Sequence, residues 1–200
     1  MIVENESYKM LSPSFNRLRT SAFHHSPEPL MNHPRTSRQG YVLITVVAAV
    51  SAAIASATAL ALSLPVWAMF MGWIAFFSRG LTTRSTVENL GCVWLGISIG
   101  TLAATGIGML APALGVGVAL PIVVFAVAIV VVGIRGMPVM NNLLAYFLGL
   151  VTWFASELAP SIENVVQLAA AGAIGSAAGW VSHFAPRWIL RATGSVRQTT

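Results

Sequence analysis

From residue 41 to residue 184 the apolar positions run almost unbroken, divided by short hinges into stretches 41–62, 65–78, 87–110, 116–134, 138–154 and 162–184. A helix needs about 20 mainly apolar residues to cross a bilayer core. The first, third, fourth and sixth stretches reach that length; the second and fifth fall short. In hydrocarbon each backbone N–H and C=O must find an internal partner, which makes such stretches helices. They lack the polar/apolar alternation of barrel strands. The pattern predicts an all-α polytopic membrane protein with six transmembrane helices over residues 41–188.

Composition removes the soluble alternative. With 56% hydrophobic and 8% charged residues and a mean hydropathy of +0.77, the chain cannot cover a water-facing surface with polar groups. Its first partner is the lipid bilayer.

The basic residues set an orientation. With six crossings, Lys9, Arg17, Arg19, Arg35 and Arg38, then Arg79 and Arg84, then Arg135, then Arg187, Arg191 and Arg197 all fall on one side. Basic residues stay cytoplasmic, which predicts both termini inside. The net charge of +5 is thereby accounted for. A nucleic-acid partner would require basic residues gathered on a soluble face with aromatics beside them, and that arrangement is missing.

Residues 1–40 differ in kind. Ser, Pro and His recur (Ser12, Pro13, His24, His25, Pro27, Pro34) with no apolar period, which reads as a disordered cytoplasmic tail. Met31 offers a second start close to the first membrane stretch, so the tail could be a start-site artefact. Residues 189–200 read as a short cytoplasmic tail. Ala59-Leu60-Ala61 mimics a signal-peptidase site, but its stretch is too long and too far from the start. The first helix is therefore expected to remain uncleaved.

An internal echo suggests duplication. Ala68, Phe70, Gly72 and Phe77 recur at the same spacing as Ala145, Phe147, Gly149 and Phe154. Val87-Glu88-Asn89 is echoed by Ile162-Glu163-Asn164, and Ile99-Gly100-Thr101 by Ile174-Gly175-Ser176. With three crossings per half, the copies enter the membrane from opposite sides, a 3+3 inverted repeat of the kind many transporters use. Short Pro-initiated segments at matching places point to a site between the halves. The residues expected to line a path there are Phe70, Gly72, Asn141, Asn142, Phe147, Gly149 and Gln167. Against this stands the plainer role of aromatics as interfacial belts and packing, which suits Trp67 and Trp153 best.

Small residues suggest how helices meet. Gly96 and Gly100 on the third helix, and Ala171, Gly175 and Gly179 on the sixth, permit close approach. The third and sixth helices should then lie near the pseudo-symmetry axis. Hydroxyls within the stretches, such as Thr45, Ser51, Thr101 and Thr152, can bond back to their own helix. Asn141, Asn142 and Gln167 need real partners. Ser85 and Glu88 have the spacing of a capping box, and Glu163 sits at a helix start. No ionisable residue lies mid-membrane, which disfavours ion-coupled transport.

Enzymatic chemistry has little to work with. Cys92 is the single cysteine, so no CxxC pair exists. His24, His25 and His33 lie in the tail and His183 at a helix end. There is no Asp and no phosphate-loop or hydrolase signature. The expectation is a non-enzyme without metal or cofactor.

Trp67-Ala68-x-Phe70-x-Gly72-x-x-Ala75-Phe76-Phe77, followed by a short basic hinge and a Gly-rich third helix, resembles the YcdZ-type bacterial inner-membrane proteins. Leu144-Ala145-Tyr146-Phe147-Leu148-Gly149 with Thr152-Trp153-Phe154-Ala155 is similar to that family's second aromatic segment. The resemblance covers residues 41–188 and implies location and fold, but no activity, since the family is a domain of unknown function. The leading functional expectation is a channel or facilitator for a small neutral solute. Its rival is a non-transporting scaffold or subunit whose Gly/Ala faces bind other helices, a homo-oligomer included.

Overall fold

A computed structural model describes residues 38–134 and 136–192. The predicted tail through residue 37 with Met31, the hinge residue Arg135, and Arg197 lie outside the described residues. Every regular element described is helical: α1 (Arg38–Ala61), α2 (Val66–Ser78), α3 (Thr83–Leu114), α4 (Val116–Ile134), α5 (Leu143–Ser156) and α6 (Ile162–Ala192). Helices α1, α3, α4 and α6 are long and apolar enough to cross a membrane, which marks the chain as a membrane protein. Helices α2 and α5 have 13 and 14 residues and extend only about 20 Å at the usual rise. Among the described residues, four helices rather than six have spanning length.

The helix limits differ from the apolar stretches for local reasons. Helix α3 starts before Val87 because the Thr82 side chain caps it, accepting from the Ser85 N–H at 3.1 Å. The Ser85/Glu88 capping box is thus replaced by a cap three residues earlier. Helix α5 begins only at Leu143, because Asn142 is its cap and accepts from the Ala145 N–H. Met140, two residues before that cap, has φ +58, a left-handed conformation that ends any upstream helix.

Packing runs across the chain order. Helix α2 lies on α6 and α5 lies on α3; α1 covers the other side of α6 and α4 that of α3, while α3 and α6 meet at the centre. Glycines make the two long seams. A Cβ at Gly72 would collide with the Gly172 carbonyl, and one at Gly175 with the Met69 carbonyl. On the other seam a Cβ at Gly96 would strike the Tyr146 carbonyl, and one at Gly149 the Val93 carbonyl. Gly100 faces the Trp153 ring, and Gly179 the Phe76 ring. The core between the seams is Met69, Phe76, Ile97, Tyr146, Trp153 and Leu168, all buried. Trp153 is therefore a core residue rather than a belt residue. Helices α1 and α4 turn Val46, Ile54, Phe125 and Ile129 outward, a surface suited to lipid.

Most membrane hydroxyls bond back one turn. Thr45, Ser51, Ser56, Thr58, Ser98, Thr101, Thr105 and Thr152 donate to the carbonyl four residues earlier. Ser176 instead donates across the seam to the Gly72 carbonyl at 2.9 Å. That bond ties α6 to α2 where the two backbones are closest.

Candidate functional site

Polar groups gather at two opposite ends of the bundle. At the first, the end of α2 meets the starts of α3 and α5, and the chain also carries Arg79 and Arg84 there; it is the basic end. Asn142 is buried, and its amide donates to the Ser78 hydroxyl at 2.6 Å and to the Asn89 side-chain oxygen at 2.9 Å. Asn89, fully buried, donates to the Arg79 carbonyl at 2.9 Å. Glu88 accepts from Arg79 at 3.1 Å and from Arg84 at 2.8 Å. Buried amides pay a heavy desolvation cost unless partnered, and here each finds partners on another segment. The cluster therefore latches three helix ends together. Glu88 serves in ion pairs and not as a helix cap.

One turn deeper, Cys92 and Tyr146 are buried side by side. The Tyr146 hydroxyl makes no hydrogen bond among the described residues, nor does Nε2 of His183 on α6, whose ring lies near that of Phe76 on α2. No group of three His, Cys, Asp or Glu among the described residues is placed to hold a metal ion.

At the opposite end, a cavity of about 380 Å³ opens between the α1–α2 and α5–α6 turns. Leu60, Leu64, Trp67 and Leu168 form its apolar walls, while Ser63, Ser156 and Gln167 supply polar atoms. The Gln167 amide donates to the Ser63 carbonyl at 3.2 Å. Ser63 has φ +55, a left-handed backbone that a non-glycine residue adopts at some cost.

These positions separate the residues expected along a path. Asn142 belongs to the basic end and Gln167 to the cavity, roughly the length of α2 apart, about 20 Å. Asn141 is half-buried and has no hydrogen bond among the described residues. Phe70 and Phe147 are exposed on the outer surface. Gly72 and Gly149 lie in the seams, where backbone fills the space a path would need. Gly96, Gly100, Gly175 and Gly179, expected as packing residues, also lie in these seams.

Sequence reasoning missed Asn89 and Ser78 as partners of Asn142, and the Arg79 carbonyl as the partner of Asn89. Asn89 had a visible signal in its echo at Asn164, yet the two environments differ: Asn164 donates to the Ala159 carbonyl at 2.8 Å within its own turn. Nothing in the sequence indicated that Trp67 and Ser63 would form one cavity with Gln167.

Residues 45–186 match the family described as protein of unknown function (DUF1097). No curated protein and no solved structure matches the chain.

Proposed function

The chain belongs to the DUF1097 family, and from that premise we propose a six-segment membrane protein of inverted 3+3 design that passes a small neutral solute by exchanging access between its two ends. In this reading it is a facilitator rather than an open channel. The basic end faces the cell interior, in a bacterial inner membrane, in keeping with the YcdZ-type resemblance. The observation that carries the reading is that the two halves make like contacts while their ends differ.

The like contacts are specific. Met69 and Tyr146 offer the carbonyls that Gly175 and Gly96 approach; Phe76 and Trp153 offer the rings that Gly179 and Gly100 face. One constant separation relates the first pair to the second within α2 and α5, and another within α3 and α6. The same α2/α5 separation joins Ser63 to Met140 and Gly80 to Glu157, all four with positive φ. This register sets Gly100 against Gly179, one turn from the Gly100/Gly175 match suggested by sequence. It aligns the two Gly-x-x-x-Gly pairs. The short α2 and α5 then occupy matching places, as expected of a transporter's interrupted segments.

The ends are unequal. Ser63 borders an open cavity. Its counterpart Met140 lies against Gly91, beside the latched amides. One end open and the other plugged is what an access-exchanging carrier presents at rest.

The packed centre favours the rival scaffold reading. However, the glycines on which that reading relied, Gly96, Gly100, Gly175 and Gly179, are spent inside the bundle. A swelling assay on proteoliposomes with urea, glycerol and acetamide decides between them. Faster entry than into empty liposomes, reduced by Gln167→Leu, is expected; entry equal to empty liposomes for every solute returns the scaffold.

A further inference from the structure

We propose that the cavity between the α1–α2 and α5–α6 turns is a binding site for a neutral molecule with an amide or hydroxyl edge and an apolar body. Calling that molecule the transported solute rests on the facilitator reading; the binding itself does not.

The size and lining argue for this class. A volume of about 380 Å³ lies at the lower end of ordinary small-ligand pockets. No Asp, Glu, Lys, Arg or His is among the residues lining it, so an ion entering would lose hydration with no countercharge to replace it. Leucine side chains and the Trp67 ring offer the apolar contact.

Gln167 supplies the recognition. One amide N–H is engaged by the Ser63 carbonyl, which fixes the orientation of the side chain. Its other N–H and its carbonyl oxygen have no partner among the described residues. An oriented amide with a donor and an acceptor unused fits a ligand that offers both, as a primary amide does. An alcohol satisfies the same pair with one oxygen. Ser63 holds its side of the contact through a left-handed turn, the kind of retained strain that collects at ligand sites.

The contrast with the basic end strengthens the assignment. There the position equivalent to Ser63 is Met140, packed on Gly91. The polar groups nearby are consumed by one another. Asn141 there has no hydrogen bond among the described residues and is held by nothing, so the amide that is both oriented and left with unused capacity is Gln167 at the cavity.

The test uses the full chain in detergent micelles with benzamide as probe, and benzoate and benzylammonium as charged analogues of the same size. Saturable benzamide binding is expected, with both ions about tenfold weaker or more. Gln167→Leu should weaken benzamide about three- to tenfold, the value of one neutral hydrogen bond. Leu60→Trp changes an exposed residue and should fill the cavity, abolishing binding while the protein stays monodisperse. Absent benzamide binding, ions binding equally well, or both variants binding like the parent would overturn the proposal. Benzamide binding together with impermeable proteoliposomes removes the facilitator reading and leaves the site standing. Solute entry without binding in the cavity does the reverse.

Discussion

Two glycine-to-alanine changes should move stability in opposite directions. At Gly175, on α6, an added Cβ meets the Met69 carbonyl carbon and the Trp73 nitrogen at 2.8 Å each, besides the Met69 carbonyl oxygen. All are backbone atoms of α2, so no side chain can swing aside and the helices must separate. Overpacking of this kind costs about 1–3 kcal/mol, and here the upper part of that range applies because the neighbours are main chain. Alanine returns up to about 1 kcal/mol of helix propensity, leaving a net loss of roughly 2 kcal/mol. At Gly108, within α3, nothing lies within 4 Å of the new Cβ, and the propensity gain stands alone. For a chain of this size 1 kcal/mol corresponds to about 2–4 °C in Tm. Thermal unfolding in one detergent should therefore show Gly175→Ala lower by about 4–8 °C and Gly108→Ala raised by up to about 2–4 °C. If both variants melt alike, helix contact at the α2–α6 seam is looser than described and the packing argument fails.

The amide latch makes a second prediction. Asn142→Leu strands the buried Asn89 side-chain oxygen and should cost about 1–3 kcal/mol, and Asn89→Leu similarly. The double variant should lose less than the sum, because the two residues share one network; strict additivity would disprove the coupling. For the ion pairs, Arg84 is 81% exposed, so Arg84→Ala should change stability by at most about 0.5 kcal/mol. Glu88→Gln, which disturbs both arginines, should cost more under the same unfolding assay. Cys92 is fully buried and should resist maleimide until the bundle is unfolded in SDS; labelling of the native protein would show that the latch opens. A reporter fused in the α5–α6 turn should report the non-cytoplasmic side, and cytoplasmic activity would reverse the proposed orientation.

Much of the helical layout was readable because hydrocarbon solvent leaves a chain few choices. Long apolar stretches become α1, α3, α4 and α6, and hydroxyls such as Thr101 bond to their own helix. The shortness of α2 and α5 was visible, yet its consequence was not: these helices are lined by other helices, and length alone cannot tell a crossing from an embedded segment. Gly96, Gly100, Gly175 and Gly179 stood out as packing residues by spacing. Which helix each would touch depends on chain-distant pairing, which periodicity does not encode. The same limit explains Trp153, a belt residue by position and a core residue through its contact with Gly100. Asn142 and Gln167 looked alike as membrane amides, but one caps α5 in a saturated cluster and the other keeps free capacity beside a cavity. Their difference arises from neighbours up to 104 residues away in sequence.

The pairing of α2 with α6 has a consequence for biogenesis. An apolar segment of only 13 residues has no durable resting place in lipid alone, and its mate is the most C-terminal of the described helices. At ordinary translation rates the interval is on the order of ten seconds. Throughout it the nascent α2 must be sheltered by the insertion machinery or lie provisionally at the membrane surface. Chains truncated before α6 should accordingly be quality-control substrates, even with every spanning helix ahead of it in place.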